Sequence, residues 1–431
     1  MKALLKITVL LLVLSTFYNC SKDDNTPVPE PIAQPQPMPE PEPENQAPTQ
    51  VSLVSPAPDT ENIDVRPTFS WQAATDPDGD TITYEVYADT TAAPSTLIGT
   101  TNATSFEMEE RLNLLENYNW KIVANDGKGG ESESESQSFD TRNVFFSNAT
   151  QNADFLGRSA FASTVFQDKV WISGGFQDAT LELGRTNDIW NSEDGVNWVL
   201  VTQNAEWPGR IRHEMIVFDN KLWIIGGFDS EGPIGDVWNS EDGVTWNLVT
   251  DSAGFGNVSG HSVIVFDDKM WLTQEGAVWF SDNGAVWTLA SDDGIGQLRI
   301  RHTSVVFEDK MWVIGGANEG ANNVMSSNDG ITWVVVNDAP SFIDENSFER
   351  RGHTSVVFDD KIWVIAGFGG KVEATDIWYS KDGKDWLLST EESAYSGRVS
   401  HESVVYNNKI WVIGGQDVIT NDRKNDVWFI D

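Results

Sequence analysis

Apolar and polar positions alternate with a period of two through most of this chain, and the places where the alternation fails mark its boundaries. The first failure is an apolar run at residues 7–14, interrupted only by Thr8 and preceded by Lys2 and Lys6. Such a run is too short to span a bilayer as a helix and has the form of an export signal. The second is residues 20–46, where Pro27-Val28-Pro29-Glu30-Pro31 and Pro37-Met38-Pro39-Glu40-Pro41-Glu42-Pro43 allow neither helix nor ladder. This segment predicts an extended, charged polyproline spacer. Between residues 47 and 142 the alternation is clean at 51–54, 68–71, 82–87 and 118–123, so strands are expected there. Clusters such as Asp76-Pro77-Asp78-Gly79-Asp80 supply the turns between them.

From residue 143 to 431 the strands fall into a longer repeat. Lys-x-Trp recurs at Trp171, Trp223, Trp271, Trp312, Trp363 and Trp411, at steps of 52, 48, 41, 51 and 48 residues. Each is preceded by an apolar run and a tight turn, as in the run from His353 to Lys361. A Gly-Gly pair or variant follows, at Gly174-Gly175, Gly226-Gly227, Gly315-Gly316, Ala366-Gly367 and Gly414-Gly415. A further strand then leads through a Ser-x-Asp-Gly turn or a close variant to Trp198, Trp246, Trp287, Trp333 and Trp386. Four short strands in about fifty residues make one blade of a radial all-β array. The sixth repeat stops at Trp428-Phe429-Ile430-Asp431, one strand short. The segment from Ala149 to Arg158 mirrors that from Val201 to Arg210, which follows a fourth strand. Residues near 143–149 are therefore expected to supply the missing outer strand and to cover two exposed edges.

Three resemblances rest on these residues. The repeats resemble kelch motifs, which implies a six-bladed kelch-type β-propeller over 143–431, related to the galactose oxidase propeller and closed by the N-terminal strand. Residues 47–142 resemble a fibronectin type III, immunoglobulin-like sandwich. Trp71 and the spacing Leu114-x-x-x-Tyr118-x-Trp120, similar to a tyrosine corner, carry that likeness. The first nineteen residues, with Cys20 and then Ser21-Lys22-Asp23-Asp24, resemble a lipoprotein signal, though Phe17-Tyr18-Asn19 is bulkier than the usual small residues. The resemblance implies lipidation of Cys20 and a location at the outer membrane or cell surface of a Gram-negative bacterium.

Charge and composition narrow the partners. A net charge of −38 opposes nucleic acid and anionic lipid surfaces, so membrane attachment is expected through the anchor alone. The single cysteine excludes an intrachain disulfide and a cysteine-based zinc cluster. No cofactor is expected. The Asp76–Asp78–Asp80 loop departs from the EF-hand pattern, and a plain turn is the preferred reading, with calcium as the alternative.

Two registers stand out on the face expected to carry the variable loops (176–187, 229–235, 337–349). His213, His261, His302, His353 and His401 each lie ten residues before a Lys-x-Trp tryptophan, with Phe161 in the first repeat. Three residues earlier come Arg158, Arg210, Arg299, Arg350 and Arg398, with Val258 in the third. In kelch proteins the corresponding arginines often line the ligand face, where forked guanidinium groups suit carboxylates. Regular recurrence favours a structural role, tying each blade to its neighbour, since a site usually breaks symmetry. Arg212, Arg301 and Arg351 break the repeat and are the better contact candidates, and Trp207 could offer a stacking surface. No nucleophile elbow, His-Glu-x-x-His or phosphate loop is present. The expectation is thus a surface-tethered module binding a glycan or a protein. The alternative is an enzyme acting on an anionic carbohydrate, similar to a kelch-type sialic acid mutarotase, which would place an arginine and a carboxylate together at the mouth.

Overall fold

The computed structural model describes residues 42–177, 184–296, 299–317, 323–343, 349–369 and 375–431. The expected signal segment, Cys20 and most of the expected proline-rich spacer lie outside them. Every regular element among the described residues is a β-strand.

Residues 53–141 form two sheets. One pairs Leu53–Ser55, Thr68–Trp71 and Ser105–Glu107, and the other is built on Asn117–Asn125 and Thr83–Asp89. Alternate residues of these strands, among them Phe69, Trp71, Tyr84, Val86, Trp120 and Ile122, share one buried core. The Asn113 amide donates to the Tyr118 hydroxyl at 3.1 Å and so pins the start of the long strand.

The repeats become six antiparallel sheets, four of them four-stranded meanders and the first and last carrying in addition a two-residue strand, Arg158–Ser159 and Arg398–Val399. Five follow the chain directly. In the sixth, Phe146–Thr150 pairs with Arg423–Ile430, so the two ends of the region meet in one sheet. The turn between first and second strands is the same in all six. Two consecutive residues, such as Asp359 and Asp360, have φ near +50°, the form of a two-residue type I′ hairpin, and all six use Asp or Asn at the second place. The Lys-x-Trp indole NH then donates to the carbonyl five residues back, for example Trp363 to Phe358 at 2.9 Å.

Contacts between sheets follow from this placement. Each of five tryptophans lies over the glycine of the turn between third and outer strands in the following sheet. The pairs are Trp171 with Gly243, Trp223 with Gly284, Trp271 with Gly330, Trp312 with Gly383 and Trp411 with Gly195. A Cβ on any of these glycines would collide with the indole. Trp363 faces a different situation, because the sixth sheet takes its outer strand from the far end of the region and has no such turn. It is fully buried in a cluster that includes Val65, Leu114 and Val144.

The sandwich is thereby joined to the ring, and residues 46–431 pack as one compact unit. Polar contacts reinforce the joint. Arg111 pairs with Asp359, the Leu114 amide donates to Asp359 at 2.9 Å, and Glu116 bridges Lys361 at 2.7 Å and Lys381 at 2.8 Å. Lys361 has no exposed surface. Burial lowers its pKa, and the Glu116 carboxylate works against that shift. Asp359 lies at the end of strand Thr354–Phe358 opposite Gly352, so the sandwich occupies the constant-turn side of the ring.

Leu114→Asp should therefore destabilise sandwich and ring together, since it buries a carboxylate among Trp363 and its neighbours. Calorimetry of the wild type should show one cooperative transition, lowered by several degrees in the variant. Two separate transitions, with that of the ring unmoved, would overturn the shared core.

Candidate functional site

The five register arginines are used by the fold. Arg158, Arg210, Arg299, Arg350 and Arg398 are at most 1% exposed. Arg158 grips Asp188 with two hydrogen bonds of 3.0 and 2.8 Å and also donates to the Gly174 carbonyl at 2.8 Å. Arg210 does the same with Asp236 and Gly226, and Arg398 with Asp426 and Gly414. Arg350 pairs with Asp376 and the Ala366 carbonyl. Each of these aspartates also accepts the indole NH of the tryptophan two residues on, at 2.6–2.8 Å. Burial alone would raise the pKa of Asp188, but the Arg158 charge and hydrogen bonds outweigh it and hold the carboxyl below its ordinary value.

The expectation of a ligand-facing guanidinium ring is corrected accordingly, since these donors are spent inside the sheets. The sequence holds the signal. Asp-x-Trp occurs at 188, 236, 376 and 426 in repeats that carry the arginine. The third repeat lacks both, and the fourth, with Asn323, keeps Arg299 bonded to that amide side chain.

Trp207 is likewise corrected. It is 1% exposed, lies 5.3 Å beneath the Arg210 guanidinium and meets Trp246 edge-on. It is a packing residue. The histidines also point into the protein. His213, His302, His353 and His401 each share a hydrogen bond of 2.8–3.1 Å with a Ser or Thr hydroxyl of the preceding sheet. Burial lowers the pKa of all five, to about 3 for His261 and His353, so they stay neutral. In the sandwich, carboxylate oxygens of Asp76, Asp80 and Asp126 lie within 4.8 Å of one another. Asp76 accepts the amides of Asp78 and Asp80, and Asp80 pairs with Lys128 at 2.6 Å.

At the axis the backbone itself closes a ring. Arg212 donates to Ala160, Gly260 to Arg212, Arg301 to Gly260, Gly352 to Arg301, Ser400 to Gly352 and Ala160 to Ser400, at 2.7–3.4 Å. All six residues have φ between +51° and +68°. That region favours glycine, and Arg212 and Arg301 hold it at a cost of about 1–2 kcal/mol each relative to glycine. Beneath this belt is a cavity of ≈ 190 Å³ lined by Arg212, Arg301, Glu214, Glu402 and a set of Ser and Thr hydroxyls.

Its electrostatics are divided. Burial and the charges of Arg301, Arg185 and Arg351 lower the pKa of Arg212 to about 10. Among the described residues neither Arg212 nor Arg301 makes a side-chain hydrogen bond or salt bridge, whereas Arg351 pairs with Glu349 and stacks on Phe368. Arg185, which stacks on Phe228, was not foreseen in the sequence because it starts a third strand outside both registers. Glu214 and Glu402 expose part of their surface only toward the lumen. The surrounding protein raises both carboxyl groups, Glu402 to about 8, and their mutual repulsion adds to the rise for Glu214.

Comparisons with known proteins agree with this geometry. Residues 193–342 match the model of the DUF6242 beta propeller domain, and residues 397–431 match that of the Kelch motif. The solved structure of YjhT is similar at a TM-score of 0.51 and 17% identity, covering 65% of this chain and 96% of that one. No curated protein matches.

The chain contains a β-propeller.

The propeller's innermost strands start at the belt, so Arg212, Arg301 and the two glutamates sit at its mouth, on the side away from the sandwich. The buried Arg–Asp pairs lie within its sheets and define a separate test. Arg210→Met should cost about 3–5 kcal/mol of stability by leaving Asp236 buried without its partner. Urea unfolding measures this, and a loss below 1 kcal/mol would refute the structural role.

Proposed function

We propose that the chain is a surface lipoprotein, tethered through Cys20, whose six-bladed kelch propeller and fibronectin type III-like sandwich present a binding mouth for an anionic glycan. The closed belt of six backbone hydrogen bonds and the six sheets support the blade count. The Tyr118 hydroxyl bond and the two-sheet core support the fibronectin-like reading.

One observation carries the functional reading. Arg212 and Arg301 occupy backbone positions that Gly260 and Gly352 fill elsewhere in the belt, and their half-buried guanidinium groups make no side-chain hydrogen bond or salt bridge among the described residues, although the Glu349 charge favours that of Arg301. Acidic residues outnumber basic ones 66 to 28 in this protein, and the carboxyls of Glu214 and Glu402 in the same cavity have raised pKa values that favour their neutral form, so two half-buried arginines without a salt bridge among the described residues are a costly arrangement unless an anion completes them.

The glycine precedent makes the test clean. Arg212→Gly and Arg301→Gly relieve backbone strain, so neither should lower the melting temperature. Each should weaken binding of acidic sugars by about 10- to 100-fold, as expected for loss of a charge-assisted hydrogen bond. A glycan array followed by calorimetry measures both effects. Absence of any acidic-glycan binding by the wild type would sink the proposal and turn the search to a protein ligand.

A second reading, an enzyme acting on an anionic carbohydrate such as a kelch-type sialic acid mutarotase, draws on Glu214 and Glu402 in the same cavity as the arginines. A carboxyl group with a pKa near 8 holds its proton at neutral pH and is poised for general acid–base work. Under this reading Glu402→Gln should slow anomer interconversion of N-acetylneuraminic acid, followed by NMR, by about 100-fold or more. A wild-type rate equal to the uncatalysed one would remove it.

A further inference from the structure

The axial cavity is too small to be the whole site. At ≈ 190 Å³ it falls below the roughly 300–1,000 Å³ usual for small-molecule sites. A second cavity of ≈ 400 Å³ adjoins it and shares Arg301, Gly352 and Ser400 as walls. The Arg301 guanidinium therefore serves both spaces, and Arg351 also lines the second.

The second cavity is lined in two chemistries. Phe368, Val399 and Val418 give it an apolar side, with Phe368 44% exposed and its ring 5.0 Å from the Arg351 guanidinium. Gln416 and Asn421 give it side-chain amides, bonded to each other and each with further donor or acceptor capacity. Asp417 is spent on its own loop, accepting the amides of Ile419 and Thr420 at 2.9 Å and facing Lys424 at 3.4 Å. Besides the Arg301 and Arg351 guanidinium groups, the wall thus offers an apolar surface and neutral hydrogen-bonding groups with no free carboxylate. A pyranose, with a carbon-bound face and a hydroxyl rim, matches both.

Resting on the anionic-glycan reading above, we infer that the ligand is an acidic oligosaccharide of at least two units. Its acidic unit lies at the mouth, held by Arg212 and Arg301, and a neutral neighbouring sugar occupies the side cavity against Phe368 and Val418. The side cavity makes the linkage, and not the acid alone, the determinant of specificity.

The test compares each acid with its glycoside on the full-length protein by calorimetry. The pairs are N-acetylneuraminic acid with its α2,3-lactoside, and glucuronic acid with its β1,3-linked N-acetylglucosamine disaccharide. In at least one pair the glycoside should bind tenfold or more tightly. Val418→Trp, which fills the side cavity, should bring that glycoside down to the affinity of its acid. Phe368→Ala, which empties the apolar wall, should reduce the same preference without blocking entry. Equal affinity within both pairs, or a preference that survives both substitutions, would overturn the inference. If binding is then still lost in Arg212→Gly, the anionic mouth stands without its side subsite. If no acid or glycoside binds, both proposals fall together.

Discussion

The ring depends on one contact, made by five of its six sheets: a tryptophan from the second strand packed against a turn glycine of the next sheet. The indole is fixed at its other end by a hydrogen bond to its own hairpin, so the hairpin's geometry sets the angle at which the neighbouring sheet is met. The glycine is needed twice over, because its φ lies near +72° and because any side chain would occupy the space of the ring. A large aromatic side chain against a bare backbone turn gives wide dispersion contact and little freedom to slide. The remaining features of the ring, including the belt at the axis, presuppose this spacing.

Where that contact has no glycine, the sandwich takes its place. Trp363 belongs to the fifth sheet, and the sixth has chain ends where the others have a turn. Leu114 and Val144 enter the cluster there, and Glu116 neutralises a lysine that would otherwise be buried alone. The sandwich is therefore joined to the one defect that closing the ring with two chain ends creates. A spacer that only held the propeller away from a surface would have no need of such a joint.

Much of this was legible in the residues. The six Lys-x-Trp positions, the Asp and Asn turn pairs and the duplicated segment that paired Phe146–Thr150 with the last strand all have local signatures. The cluster around Leu114 had none, since it joins residues some 250 positions apart and looks in sequence like ordinary sandwich core. At the axis, sequence placed two sets of arginines within a few residues of each other but could not show where their side chains point. Arg210 and Arg212 differ by two positions and have opposite fates. One turns into its sheet to meet Asp236, and the other, carried round by a positive φ, reaches the lumen.

The internal repeat can separate those fates, because six copies in one chain serve as their own comparison. A residue that recurs with a partner and disappears with it, as the register arginine does with Asp-x-Trp, is paired within the fold. A residue that stands where the other copies place glycine, alanine or serine owes nothing to the repeat, and the fold does better without it. Arg212 and Arg301 meet that second criterion in a protein otherwise dominated by acidic groups. Their presence at strained positions, without a salt bridge among the described residues, is the strongest reason to regard the axial mouth as the working part of the molecule.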